Sequence, residues 1–398
     1  MRQAARPPPY GGGYDNTMTP RERLLTTLRS KIADRVPVAP FVQEEYLSFY
    51  YPQKPKLDRV IDATELANEL DFDLMAKHRA LEAPHFFRRS HPNWELRRTE
   101  TRSDGMIQRR LEIVTPTRTL VQEETGPDSG AATTGVRFHV TRTLLQNADD
   151  TEAFLKWLPA LDNEDRCFMR ETADTWRRIL GDRGVLAPWG FAGVFNFCAD
   201  LCGMDNFYIA PYMDEASYRA LMSGVADAMC AYSAALGESA IDCIGIQGHM
   251  AGGSTTGPDF FRQFVLPYEK RMIDAIHAAG KFSVYHNCGC AKILYENYRE
   301  LGMTVWETVS EPPRGDNKLA DAKAVLGDRL CLLGNLDQVD FLKRATPKEV
   351  DAATREIVRI GKPGGRYIFS TSDYLEKGTP RENVVAMIEA AKDEGRYA

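Results

Sequence analysis

Several features are missing from this 398-residue sequence, and each absence removes a class of function. There is no basic tract, and the formal net charge is −6, which disfavours nucleic acids and anionic membrane surfaces as partners. No apolar run is expected to approach the length of a bilayer span, and the N-terminus carries no signal-peptide core, so neither a membrane protein nor a secreted one is expected. Cysteine is sparse: the eight in this chain are dispersed. They read as reduced thiols in a cytoplasmic protein, two or three of them available as ligands, and not as a disulfide framework.

The length suffices for one large domain or two smaller ones. Residues 1–18, with Pro7-Pro-Pro9 and Gly11-Gly-Gly13, offer almost nothing to bury and are expected to be a disordered tail. Thr19-Pro20-Arg21-Glu22 has the form of a helix start, with Thr19 as cap and Glu22 closing a capping box. Thr346-Pro-Lys-Glu349 and Thr379-Pro-Arg-Glu382 repeat the pattern, and a further capped helix is expected from Asp62. Residues 94–124 differ: alternating Arg, Thr, Ile, Val and Leu around the turn Ser103-Asp104-Gly105 predict an inserted β-hairpin with further antiparallel strand. A Gly/Ser/Thr loop is expected at 126–135, followed by helices at 149–158 and 163–180.

From Gly184 strands and helices alternate. Strand starts at Val36, Asp71, Val185, Ile241, Lys281, Thr304, Arg329 and Arg366 make eight units. An α/β fold follows, a (β/α)8 TIM barrel in one domain over residues 19–398, with an open doubly wound sheet as the alternative.

In a barrel the chemistry collects at the C-terminal strand ends. Those ends carry Gln43 and Glu44, Trp189 and Phe191, Gln247 and His249, Glu307, Asn335 and Asp337, and Ser372 and Asp373. The densest is His286-Asn-Cys288-Gly-Cys290. Residues two apart in an extended chain face the same way, so His286 and Cys288 can converge on one ion, and zinc accepts imidazole with thiolate. The same segment also reads as a buried histidine beside two free thiols packed as small hydrophobes. Cys290, placed where the next helix is expected to begin, reads as a reactive or a structural thiol. Glu307, inside an apolar run, needs a partner or a metal if it points inward. Phe195 and Phe197, with Trp189 and Phe191, read as a pocket wall or as core.

Thr346-Pro-Lys-Glu-Val350, Gly364-Gly-Arg-Tyr-Ile-Phe-Ser370, Thr379-Pro-Arg-Glu-Asn383, Gly334-Asn-Leu-Asp337 and the segment from Pro258 to Tyr268 resemble the uroporphyrinogen decarboxylase superfamily. The resemblance covers about Met18 to the C-terminus and is weakest between Asp71 and Gly184. It implies a (β/α)8 barrel and one of two chemistries. The decarboxylases hold a tetrapyrrole with arginines after the first strand; here that place reads Phe41-Val-Gln-Glu-Glu-Tyr46, without arginine, and a polycarboxylate needs fixed cations. The other branch comprises zinc methyltransferases working with corrinoid, including methylcobamide:coenzyme M methyltransferases. Their zinc site is similar to His286-x-Cys288 plus a cysteine before the last Thr-Pro motif, where this chain has Asp373.

That resemblance implies Zn2+ on His286, Cys288 and Asp373, with Cys290, His249 or Glu307 as alternatives for the third ligand. Gln247, His249 and Glu307 are the expected catalytic residues, and Gln43, Trp189, Phe191 and Asn335 the expected substrate-binding ones. The expected partners are a small methyl donor or acceptor, a separate corrinoid protein, because D-x-H-x-x-G is absent here, and a second copy of the chain in a homodimer. The alternative function is a decarboxylase or lyase acting on a small acid.

Overall fold

A computed structural model describes residues 17–77, 81, 83–128 and 138–397. The Phe191 side chain lies outside that description, as do residues 1–16 of the expected tail and most of the expected loop at 126–135. Twelve strands occur among the described residues: β1 (Leu74–Ala76), β2 (Glu95–Ser103), β3 (Met106–Val114), β4 (Thr119–Pro127), β5 (His139–Arg142), β6 (Gly184–Leu186), β7 (Trp189–Ala192), β8 (Cys243–Gln247), β9 (Phe282–His286), β10 (Val305–Glu307), β11 (Cys331–Leu336) and β12 (Tyr367–Thr371).

β7 to β12 form one parallel sheet in sequence order, and β1 pairs in parallel with β6. β6 and β7 are two pieces of one strand position, interrupted at Ala187 and Pro188. The break still bonds both neighbours, since Ala187 N donates to Ala76 O and Gly245 N to Pro188 O, each at 2.9 Å. On the far side Val38 bridges Phe369 of β12, and Asp73 N donates to Val38 O at 2.8 Å. The ring therefore closes in an α/β TIM-barrel-type fold. The expected first strand from Val36 is reduced to this bridge. Its continuation, Glu44 and Glu45, opens the helix Glu44–Tyr50 instead.

Two apolar cores follow from the alternation of side chains along each strand. Inside the barrel Ala39, Met75, Val185, Ala187, Cys243, Val284, Val305, Cys331, Leu333 and Ile368 pack together, with Leu24 and Leu28 of the helix Pro20–Leu28. Outside it, Ile244, Ile246, Tyr285, Trp306, Leu332, Tyr367 and Phe369 belong to a separate cluster shared with the helices. A ring of charges lies near the Pro20–Leu28 plug. The fully buried Asp73 accepts from Arg23 Nη1 at 2.6 Å, Arg35 Nη1 at 2.8 Å and Val38 N at 2.8 Å, and so ties the plug helix to the first two strand positions.

The capping boxes at Thr19 and Thr346 form. The third does not: Thr379 is buried, its hydroxyl donates to Glu376 O, and the helix begins at Arg381. The helix expected from Asp62 starts at Arg59, capped by Asp58. β2 to β5 form an antiparallel sheet in chain order. Ile113 and Leu120 root it in the outer core, while its far end is wet and carries Arg–Glu pairs such as Arg109–Glu100 at 3.0 Å. The helix Glu215–Gly237 corrects one expectation, because by length and composition it is long and apolar enough to cross a bilayer. Half of that stretch is buried within the molecule, where Leu221, Met222, Val225, Met229 and Leu236 join the outer core.

Replacing Asp73 leaves two arginines without their shared anion. Asp73→Ala is expected to lower unfolding free energy by about 3–5 kcal/mol, measured by urea denaturation at neutral pH. An unchanged midpoint would remove the cluster from the account of barrel closure.

Candidate metal centre at the barrel mouth

The parity that buries Val284 and Val305 inside the barrel also places His286 and Glu307 inside it, two residues further along their strands. The two strands pair with Glu307 opposite His286. Both are buried. His286 Nδ1 donates to Glu307 Oε2 at 3.1 Å. Beyond β9 the chain turns within Asn287, Cys288 and Gly289. Asn287 faces the other way and pins the turn: its N–H donates to Glu307 O at 2.8 Å and its amide to Gly248 O at 3.1 Å. Gly289 adopts φ +88°, which glycine tolerates without a Cβ clash, and its carbonyl accepts from Asn317 Nδ2 at 2.9 Å. Cys288 is thereby returned to the face of His286.

Asp373 arrives from the loop after β12. Its Oδ1 accepts from Tyr374 N at 2.7 Å, and its own N–H donates to Gln338 Oε1 at 3.1 Å. Its Oδ2 lies 3.9 Å from His286 Nε2. One ligand atom from each of His286, Cys288 and Asp373 lies within 4.8 Å of the other two. Bonds of 2.0–2.1 Å at a tetrahedral angle span roughly 3.4 Å, so a small inward shift would close the set on zinc. The donors are one nitrogen, one sulfur and one oxygen, a set zinc accepts with a fourth position open. Glu307 behind the imidazole is the usual arrangement for a metal-binding histidine, since it sets the tautomer. The residues present fit the ion.

The remaining expected site residues divide. Trp189 is at the centre: its ring is edge-on to His286, with centroids 5.7 Å apart, and its indole N–H is buried without a partner. Gln247 ends β8 opposite His286 in register and is half-buried. Gln43 is buried at the start of the first mouth helix. Phe191 lies in β7 by its backbone, but its side chain is outside the described residues. His249 sits on an exposed turn past Gln247, its Nδ1 3.3 Å from Asn196 Nδ2. Asn335 is buried; its Nδ2 donates to Val309 O at 3.2 Å and Glu311 Oε1 at 3.0 Å on the neighbouring loop, and its Oδ1 has no partner among the described residues. Cys290 is not in the ligand group, and the α-helix expected to start beside it begins only at Tyr295, after a short 3-10 turn. Phe195 and Phe197 are core, packed on Phe207 and Tyr208, and on Phe86 and Phe87, respectively.

Lys77 was not expected. It stands just beyond β1, two residues after Met75 and therefore on the inward face. Its side chain is 4% exposed, and its ammonium donates to Glu307 Oε1. The available signal was a lysine ending the apolar run Leu74-Met-Ala.

These charges shape one another. Burial alone would lower the His286 pKa, but hydrogen bonding to Cys288 and Glu307 and the nearby charge of Asp373 push it up to about 10. Burial alone would raise the Glu307 carboxyl, but the charge of Lys77 and the contact with His286 bring it down to about 2. Burial holds Lys77 below the ordinary lysine range, against the pull of Glu307.

A family model described as uroporphyrinogen decarboxylase (URO-D) matches residues 155–394. The methylcobamide:CoM methyltransferase MtbA of Methanosarcina mazei is 29% identical over 201 residues, 50% of this chain and 56% of that protein. The methylated-thiol–coenzyme M methyltransferase of the same organism is 24% identical over 199 residues, 50% of this chain and 51% of that one. A uroporphyrinogen decarboxylase of Thermus thermophilus is 29% identical over 185 residues, 46% of this chain and 50% of its own length. The chain thus spans about half the length of the curated relatives it matches. A solved structure of a methyltransferase from Methanosarcina mazei shares the fold, with TM-score 0.66 at 16% identity, covering 94% of this chain and 99% of that one.

The folded-state pKa of His286 lies above its unfolded value of about 6.5. Its contribution to stability is therefore complete below that pH and is lost as pH rises towards about 10. Glu307 has the opposite sign: its contribution is present above its unfolded value and is lost as pH falls towards about 2. Chelator-treated protein is expected to lose on the order of a few kcal/mol between pH 6.5 and 10 through His286, and His286→Gln to flatten that slope. Urea unfolding of both proteins at pH 6, 8 and 9.5 measures it; parallel curves would contradict the assignment.

Proposed function

Because this chain belongs to the uroporphyrinogen decarboxylase (URO-D) family, we propose that it is a zinc-dependent methyltransferase. It moves a methyl group between a small O-, S- or N-methyl compound, or a thiol, and a corrinoid carried by a separate protein. The observation that supports this reading is the convergence of His286, Cys288 and Asp373 on one point at the mouth, with Glu307 behind the histidine. Similarity to two methyltransferases of coenzyme M chemistry points the same way.

His286, Cys288 and Asp373 would hold the ion. When bound, zinc supplies Lewis acidity to the heteroatom that gains or loses the methyl group. The acceptor's lone pair forms the new bond to carbon while the bond to the departing atom breaks, and the departing atom keeps the electron pair of that bond. Glu307 keeps the His286 proton on Nδ1, so Nε2 is free to ligate. Gln247, beside His286 on the next strand, is placed to orient the substrate heteroatom. Trp189 offers an unpaired indole N–H and an apolar face to the part of the substrate that does not react. His249, exposed at the rim, is placed to exchange a proton with solvent.

Tetrapyrrole decarboxylation is disfavoured on charge. Lys77, a buried cation of the mouth, is already paired with Glu307, and 41–46 has no arginine.

Purified protein is expected to carry about one zinc per chain, and Cys288→Ala to lose it together with thiol-dependent demethylation of free methylcobalamin, followed by corrinoid absorbance. Glu307→Gln, which removes the charge behind His286 and also leaves Lys77 without its counter-ion, is expected to weaken zinc about 10–100-fold in a chelator competition. Wild-type protein without zinc affinity, or carbon dioxide released from a small acid without corrinoid, would replace this reading with the decarboxylase one.

A further inference from the structure

Lys77 occupies an aromatic cage. Its ammonium is 3.5 Å from the centroid of the Phe41 ring and 4.7 Å from that of Trp189. Glu307 Oε1 takes one of its three donors, and the two ring faces meet the rest by cation–π attraction. Glu307 uses its two oxygens on opposite sides: Oε1 meets Lys77 and Oε2 meets His286 Nδ1. The rings that hold the lysine also touch the histidine, with Phe41 6.3 Å and Trp189 5.7 Å from it between centroids.

A buried ion pair of this kind is a poor source of stability, because well-packed apolar residues in its place are often neutral or better. Its persistence needs another reason, and the geometry supplies one. A carboxylate held by one oxygen cannot rotate away from the imidazole it supports with the other. We propose that Lys77 is a positioning residue of the metal centre: caged by Phe41 and Trp189, it fixes Glu307 in place and thereby aims His286 Nε2 at Cys288 and Asp373. The inference rests on the metal reading of those three residues.

Lys77→Ala removes a propylammonium-sized group and leaves its cage. Zinc affinity by chelator competition is expected to fall about 10–100-fold, and the visible bands of bound Co2+ to shift, with propylammonium chloride restoring both. Propanol, of similar size and uncharged, is expected to restore neither. Should Lys77→Ala not fold, Lys77→Met keeps the length of the stem and removes only the charge and its donors; with Glu307 left in place, it is expected to show the same loss of zinc affinity. Wild-type zinc affinity in either variant, or equal rescue by propanol, would overturn the positioning role while leaving the metal reading intact. Absence of zinc binding by the wild-type protein itself would overturn both.

Discussion

Alternation along a parallel strand is the constraint on which both the core and the mouth depend. Each inward position stacks above another two residues earlier. Val284 therefore lies below His286, Val305 below Glu307, Met75 below Lys77 and Ala39 below Phe41. The lower layer is apolar and closed by Leu24 and Leu28. The layer above carries an ammonium, a carboxylate, an imidazole and two aromatic rings. A shift of one residue in any of these strands would turn a charged group outwards into the apolar sheath around Tyr285 and Trp306, where it has no partner.

The same alternation decides how much was legible beforehand. His286 and Cys288 lie two apart at the end of a clear strand, so their convergence could be read directly. Asp373 needed the resemblance to a known site, because nothing local distinguishes it from a loop aspartate. Lys77 was missed because it stands one residue beyond the short strand β1 (Leu74–Ala76), one inward step past Met75. Asn335 has the composition of a binding residue; its amide nitrogen donates to Val309 and Glu311 while its Oδ1 is buried without a partner, a division made by loop packing that no spacing rule anticipates. At the N-terminal side, Thr19 and Thr346 cap as their sequences suggest, but the identical pattern at Thr379 does not. There burial of the threonine takes precedence over the local preference.

The charges of the mouth offset one another in sequence: cation, anion, then a histidine drawn towards its cationic form. Each costs free energy to bury, and each is tolerable because its neighbour has the opposite sign. Loading a metal would change this balance, since a ligating imidazole must give up its proton. An oxygen in place of a second sulfur makes the donor set harder, and Asp373, partly exposed, is bound to its own loop through Tyr374 and to the loop after β11 through Gln338.

The ring closes late in the chain. Phe41 N meets Thr371 Oγ1 across 330 residues, and Val38 pairs with Phe369 by a lone bridge. Loop-closure entropy for such a seam is spent before its hydrogen bonds return anything, so folding is governed by contacts of high sequence separation. During synthesis the emerging N-terminal half has no β12 to lean on, and its strand edges stay open until β12 has been made. A nascent barrel in that condition is exposed to edge-to-edge association with its neighbours, a hazard set by topology alone and independent of any chemistry at the mouth.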